Sequence, residues 1–224
     1  CVNPNLRPAT RGPARRPHFM GLDIGLKQDA TAVAIGHIES GNQIMLDLIE
    51  TQQAGVGIWK GKQEVDFDAI VEWVYELTRR FSIHRGVFDQ YVGIAFEQAL
   101  KKKGLTQIVS DKFSTQESSD IYNNLKTMMY NGNLILYDWP KESDTDHCSY
   151  IKELLELQAE VRSKYTVSVA APKLKGKHDD QSDALARMVW LASEHIKENG
   201  DFVIARGGGQ NRIQSAGMSA LKSV

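Results

Sequence analysis

A change of hydrophobic period limits the fold of this chain more than any other feature. From residue 18 to residue 51 three apolar runs of strand length follow one another, "HFMGLDI", "TAVAIGHIE" and "QIMLDLIET", the last two joined by "SGN", a tight hairpin signal. After the Gly-rich "AGVGIWKGKQ" the spacing lengthens. Phe67, Ile70, Val71, Val74, Leu77 and Phe81 recur at helical intervals, which predicts an amphipathic helix over residues 65 to 82. Strand and helix then alternate. "GVFDQ" reads as a strand, residues 91 to 102 as a helix, "TQIVS" as a strand and residues 115 to 131 as a helix. "NLILYD" follows as a strand behind the turn Asn131-Gly132-Asn133, then a helix marked by Ile151, Leu154, Leu155 and Val161, the strand "TVSVAA", and a helix over residues 180 to 197. An antiparallel meander followed by alternating helices and strands predicts an α/β layered fold, a mixed β-sheet flanked by helices.

The two ends of the chain differ from this body. Residues 1 to 17 hold Pro4, Pro8, Pro13, Pro17 and Gly12, and read as a linker; residues 199 to 224 are rich in Gly and Ser and read as a flexible tail. The folded domain is expected over residues 18 to 198, long enough to bury a core without disulfide staples. Two cysteines in 224 residues, Cys1 and Cys148, exclude a disulfide framework and fit a reducing compartment. There is no apolar run of membrane-spanning length and no signal-peptide pattern, and the start without Met reads as a fragment cut from a larger protein at a linker. The net charge of -1 conceals an asymmetry. Arg7, Arg11, Arg15 and Arg16 open the chain with no acid, Arg206, Arg212 and Lys222 close it against Asp201, and the body between is acidic. Such a body is no simple electrostatic binder of nucleic acid; it would need local lysines and a metal.

The acids carry the chemistry. Asp23 sits between Leu22 and Ile24 at the end of the first strand, where an uncompensated carboxylate is costly and so requires a partner. Asp89 ends the strand "GVF", and the carboxyl ends of parallel strands open onto the crevice where ligands bind; a helix cap or an Asx turn is the plainer use of an Asp there. In "KLKGKHDDQSDALARMVWLA", Asp180 and Asp183 lie three apart at a helix start and project from one face of its first turn. Asp180 there also suits a cap, and Asp183 the helix dipole. Crowded carboxylates repel one another unless a cation neutralises them. Asp23, Asp89, Asp180 and Asp183 are hard oxygen donors from separate elements, the set that Mg²⁺ or Mn²⁺ prefers, and two such ions could activate a water and stabilise the leaving oxygen of a phosphodiester.

"GLDIGLKQDATAVAI", "VFDQYVGIAFEQAL" and "HDDQSDALARMVWLA", in that order and spacing, resemble the nuclease domain of bacteriophage terminase large subunits, members of the RNase H-like superfamily and relatives of RuvC-like resolvases. The resemblance spans about residues 18 to 197. It implies an RNase H-like fold and a metal-dependent endodeoxyribonuclease that cuts concatemeric double-stranded viral DNA during packaging, with two Mg²⁺ or Mn²⁺ ions. It further implies an ATPase domain in the same polypeptide, a portal protein and a small terminase subunit as partners, and the host cytoplasm as location. Carried over by position, Asp23 is the first metal ligand, Asp89 the second acid, and Asp180 or Asp183 the last, with Asp179 able to replace Asp180. Asp29 matches an auxiliary acid, though a turn residue is the plainer reading. "DQYVG" is bulkier than the Gly-rich turn the family commonly shows at that point.

Lys101, Lys102 and Lys103, and Lys173, Lys175 and Lys177 with His178, are the candidates for contacting the DNA backbone, since lysines neutralise phosphate without reading bases. For the first run a solvated charged surface is an equal reading. Trp59 and Trp139 offer stacking faces, although a Trp more often packs in a core or interface. Two rival classes share the opening motif or the fold. Actin-like and sugar-kinase ATPases also begin with Asp-x-Gly after a strand, but need two such domains and a Gly-rich adenosine motif. A catalytically inactive RNase H-like binding module would bind DNA without metal or cutting.

Overall fold

The computed structural model describes residues 1–13, 15–25, 30–90, 93–142, 146–164, 166–174 and 176–203, the last four of these in backbone only. Its centre is a six-stranded sheet of β1 (His18–Asp23), β2 (Thr31–Ile38), β3 (Ile44–Gln52), β4 (Ile83–Asp89), β5 (Ile108–Asp111) and β6 (Leu134–Ile135), in the order β5-β4-β1-β2-β3-β6. β1, β2 and β3 form the antiparallel meander, while β4 pairs with β1, β5 with β4 and β6 with β3 in parallel. This is the mixed RNase H-like sheet expected from the sequence.

Two apolar layers cover it. α1 (Phe67–Arg80) and α2 (Gly93–Lys102) lie on one face, and α3 (Thr115–Tyr130), α4 (Ser149–Glu156) and α5 (Asp180–Val203) on the other. The period-2 alternation of each strand sorts its side chains between them. In β1, Met20 and Leu22 enter the α1/α2 core, whereas Phe19 belongs to the α5 core and Gly21 lies against α5. Gly21 is required there: a Cβ on it would stand 2.0 Å from the Ala184 carbonyl oxygen. The missing side chain lets α5 lie directly on β1, and α5 packs more closely against β1 and β2 than against any other strand.

The chain departs from the expected elements in two places. Val161 is not helical: α4 stops at Glu156, and Val161 ends a short strand, β7 (Gln158–Val161). The run "TVSVAA" forms β8 (Val167–Ala170), which pairs with β7 in a separate two-stranded hairpin rather than joining the main sheet. β7 is exposed along its whole length, so nothing in its apolar pattern announced a strand. Among its described residues the proline-rich start holds no helix, but it is laid against the body: Val2 bridges to Leu136, the Ala9 amide donates to the Asp47 carbonyl (2.7 Å), and the Gly12 amide donates to that of Arg80 (3.0 Å). The tail beyond residue 203 lies outside the described residues. Among the described residues no helix is long and apolar enough to cross a membrane.

Candidate metal and nucleic-acid site

Strand parity delivers the first two acids. Asp23 follows Phe19 and Gly21 at two-residue steps, and Asp89 follows Val87, so both carboxylates end neighbouring parallel strands on the α5 side of the sheet. Helical spacing delivers the rest. Asp180, Asp183, Ala184, Arg187 and Met188 recur at three- and four-residue steps, which makes one stripe of α5 facing the sheet.

Arg187 joins the two sets. Its Nη1 donates to Asp23 Oδ1 at 2.7 Å and to the Leu22 carbonyl at 2.8 Å, and its Nη2 donates to Asp183 Oδ2 at 3.0 Å. The guanidinium is buried, and its face lies over the Phe113 ring. Burial works against its charge, but Asp183, Asp23 and Asp89 outweigh that and raise its pKa. Asp183 also accepts a hydrogen bond from the Tyr122 hydroxyl of α3. Asp89, Tyr122, Val169, Asp183 and Arg187 line one cleft of about 340 Å³. Asp180, on the same stripe, opens onto a different depression of about 330 Å³ that it shares with Lys177, His178 and Glu153.

Asp23 and Asp183 are incompletely neutralised where they stand. Burial pushes the Asp23 carboxyl up to about 6; Arg187 opposes the rise, and Asp180 and Asp179 add to it. Asp183 is pushed up to about 6 as well, by burial first, against Arg187 and with Asp23 adding to the rise. An excess of half-buried carboxylate over guanidinium fits a hard divalent cation, and an oxygen that accepts one hydrogen bond keeps a lone pair for a second partner. The fit has a limit: three of these acids do not crowd within 4.8 Å of one another, and Arg187 stands between Asp23 and Asp183.

Several of the supporting residues were not legible in the sequence. Asp180 is the first residue of α5, and its Oδ2 accepts from the Ala30 amide at 3.2 Å. Buried Glu153 of α4 accepts from the Ser182 amide (2.6 Å) and the Gln181 side chain (3.2 Å), and burial pushes its carboxyl up to about 7. Asp179 accepts from the Ala171 amide at 2.9 Å, which ties the preceding loop to the start of α5. Arg187 had a signal, a cation one turn after Asp183 within an apolar stripe; Tyr122 and Glu153 had none.

The remaining expected residues divide. Lys177 pairs with Glu156 beside the Asp180 depression, His178 Nδ1 lies 3.7 Å from Asp180 Oδ2, and Lys173 is exposed on the same loop. Lys101 and Lys102 occupy the last turn of α2 and Lys103 follows it, at the end away from Asp89; Lys101 pairs with Glu97 and Lys103 with Glu72. The fold does not bring them to the acids. Trp59 donates to Gln52 Oε1 (2.7 Å) and packs on the α1/α2 core, while Trp139 is half exposed under the Arg7 guanidinium. Asp29 and Lys175 lie outside the described residues.

No known family profile matches the chain, and no curated protein matches it in sequence. Solved structures do match in fold. The large terminase nuclease of thermophilic phage G20c with bound magnesium aligns at a TM-score of 0.62 and 17% identity, over 84% of this chain and 91% of that one. The nuclease domain of the large terminase of bacteriophage SPP1 with bound Mn aligns at 0.55 and 15%, over 85% and 95%. The HK97 bacteriophage large terminase aligns at 0.61 and 15%, over 81% of this chain but 40% of that longer protein. At these identities the likeness establishes a shared RNase H-like fold.

Proposed function

We propose that this chain is the nuclease domain of a phage large terminase: a Mg²⁺- or Mn²⁺-dependent endonuclease that hydrolyses phosphodiester bonds of double-stranded viral DNA during packaging. The convergence of Asp23, Asp89 and Asp183 on Arg187, at the carboxyl ends of adjacent strands, carries this reading. Asp23, Asp89, Asp180 and Asp183 would hold the ions. Once bound, these would supply a Lewis acid for the attacking water and the phosphoryl oxygens. Tyr122 fixes the orientation of Asp183, and Arg187 holds Asp23 and Asp183 in register and offers the scissile phosphate a buried donor. Lys173, Lys177 and His178 would take the DNA backbone on the loop that leads into α5. An ATPase domain in the same polypeptide, portal and small-subunit partners and a place in the host cytoplasm belong to this reading and stand or fall with it.

The test is plasmid cleavage with Mn²⁺. Asp23→Asn and Asp89→Asn should each lower it by on the order of 10³-fold, the scale expected when one electrostatic contributor to a transition state is removed, with the fold intact by thermal unfolding. Full activity in either variant would refute the site. DNA binding by the parent chain without cutting in any divalent metal would mark an inactive binding module instead.

A further inference from the structure

A second group of potential ligands lies at the opposite end of β1. His18 opens that strand directly across from His37 of β2. Both lie on the α1/α2 side of the sheet, His18 against Phe81 and His37 in step with Val33 and Ile35. Asp47 keeps the face of Met45, the residue paired with His37, and so points toward the two imidazoles. A β-bulge follows: Ile35 pairs with Leu48 and Gly36 with Leu46, so Asp47 is the extra residue and Leu48 turns to the same face. Leu46 therefore enters the α5 core while Leu48 enters the other, beside Asp47. One donor atom from each of His18, His37 and Asp47 lies within 4.8 Å of the others, and all three residues are buried.

His18 is the anomaly of this group. Its ring is fully buried, and neither nitrogen makes a hydrogen bond of good geometry, although the backbone of Arg16 and Ser82 and the Asp47 carboxylate lie near it. A buried imidazole without a well-formed hydrogen bond is poorly compensated for its lost hydration, so native structures seldom keep one. We propose that His18, His37 and Asp47 form a structural metal site for Zn²⁺ or a similar borderline divalent ion. Two imidazoles and a carboxylate are a common ligand set for zinc. His18 Nε2 stands 3.5 Å from Asp47 Oδ2, near the roughly 3.3 Å that separates two ligands at 2.0–2.1 Å on a tetrahedral ion. His37 Nδ1 lies 2.6 Å from the same oxygen, and this contact opens when an ion replaces the shared proton. The surroundings also match. His37 Nε2 faces Glu39 Oε1 at 3.2 Å, and Arg16 pairs with Glu39, the carboxylate-histidine arrangement that orients metal-bound imidazoles. Gly12 closes over His18, since a Cβ there would stand 2.4 Å from Nε2, and the Ala9 amide holds the Asp47 carbonyl. The ion would thus staple the N-terminal segment to the end of the sheet, whatever reaction the carboxylates at the other end support.

The test uses the chain carrying Asp23→Asn and Asp183→Asn, which removes ions from the carboxylate cleft. After chelation it is titrated with Zn²⁺, and separately with Co²⁺ as a spectroscopic substitute. One equivalent of either ion, the intense visible absorption of tetrahedral Co²⁺ with nitrogen ligands, and a higher Tm with Zn²⁺ are expected. Glu39→Gln, close to the surface, should weaken binding roughly 10–100-fold, and His37→Gln or Asp47→Asn should abolish it. The proposal is overturned if no stoichiometric ion binds, if Co²⁺ shows only the weak spectrum of octahedral oxygen coordination, or if binding survives in folded His37→Gln. The cobalt spectrum decides the question even where His37→Gln and Asp47→Asn do not fold.

Discussion

The two ends of β1 solve the same electrostatic problem in opposite ways. At the carboxyl end, Asp23 meets Asp183 and Arg187 beside an open cleft, and the carboxyls stay hard to ionise; at the amino end, Asp47 is buried beside two histidines, with Ala9, Gly12 and Arg16 packed around the group. Six residues of one strand separate them. An open end with too little positive charge suits ions and substrates that come and go, whereas a closed end suits an ion, or a proton, that stays.

The sharpest way to break this contrast is to remove the cation from the open end. Arg187→Met keeps the length and apolar body of the side chain but leaves Asp23 and Asp183 facing each other. Losing one partner of a buried ionic group costs about 3–5 kcal/mol. That cost should be largest near pH 8 and shrink toward pH 5, where the two carboxyls take up protons. Urea unfolding of parent and variant at both pH values measures it, and a cost independent of pH would mean that Arg187 does not compensate these acids.

A smaller effect should follow from spoiling the contact that lies between the two ends. Gly21→Ala places a Cβ 2.0 Å from the Ala184 carbonyl, so α5 must move off β1. Overpacking of this kind costs about 1–3 kcal/mol. Because α5 carries Asp183 and Arg187, cleavage should fall more than stability, while metal uptake at the histidine end should not change. Equal damage at both ends would argue that the sheet transmits the shift.

pH gives the next measure. The Asp23 and Asp183 carboxyls sit near 6 in the folded chain, against 3.8 when exposed, so the folded state binds more protons than the unfolded state between those values. Stability of the chelated protein should then fall as pH rises from about 4 through about 6, by several kcal/mol at about 1.4 kcal/mol for each pH unit by which a carboxyl is raised. Mn²⁺ should reverse the loss above pH 6, where the carboxylates are ionised, and do little at pH 4. Calorimetric unfolding with chelator and with Mn²⁺ tests this; a chelated protein that gains stability across the window would show that Arg187 overcomes burial.

The same comparison shows what the sequence could reveal. The placement of Asp23 and Asp89 at strand ends was legible because strand parity and strand ends are local properties, and that of Asp180 and Asp183 in the first turn of α5 because three-residue spacing on a helix is local too. Their convergence depends on Gly21 admitting α5, which a sequence does not announce. Arg187 is hidden by its company, a cation among Ala184, Ala186 and Met188 that reads as part of an apolar stripe. Tyr122 and Glu153 reach α5 from 61 and 29 residues away, and no local pattern links them. At the closed end, the alternation of "IMLDLIET" keeps Leu46 and Leu48 on one face and so separates Leu48 from Asp47, because only the bulge opposite Ile35 and Gly36 brings the two to the same side. The spacing of Val161 from Ile151 and Leu154 suits a helix, and a four-residue exposed strand has too little pattern to compete.

The smallest expected effect separates the two lysine groups along the same axis. Lys177 lies beside Asp180 and His178 on the approach to the acids, whereas Lys102 ends α2, ten helical residues and so about 15 Å from the end that begins near Asp89. A phosphate contact adds close to one unit to the slope of log affinity against log salt, without altering sequence preference. Lys177→Ala should therefore weaken binding of a catalytically silent Asp23→Asn chain to duplex DNA several-fold and flatten its salt dependence by about one unit. Lys102→Ala should change neither, because a charge on a solvated helix end releases no counterions from DNA it does not reach. Anisotropy titrations between low and moderate salt distinguish the two. If Lys102→Ala carries the slope instead, the duplex runs over the α2 end of the sheet, and the cleft around Asp89 is approached from the other side.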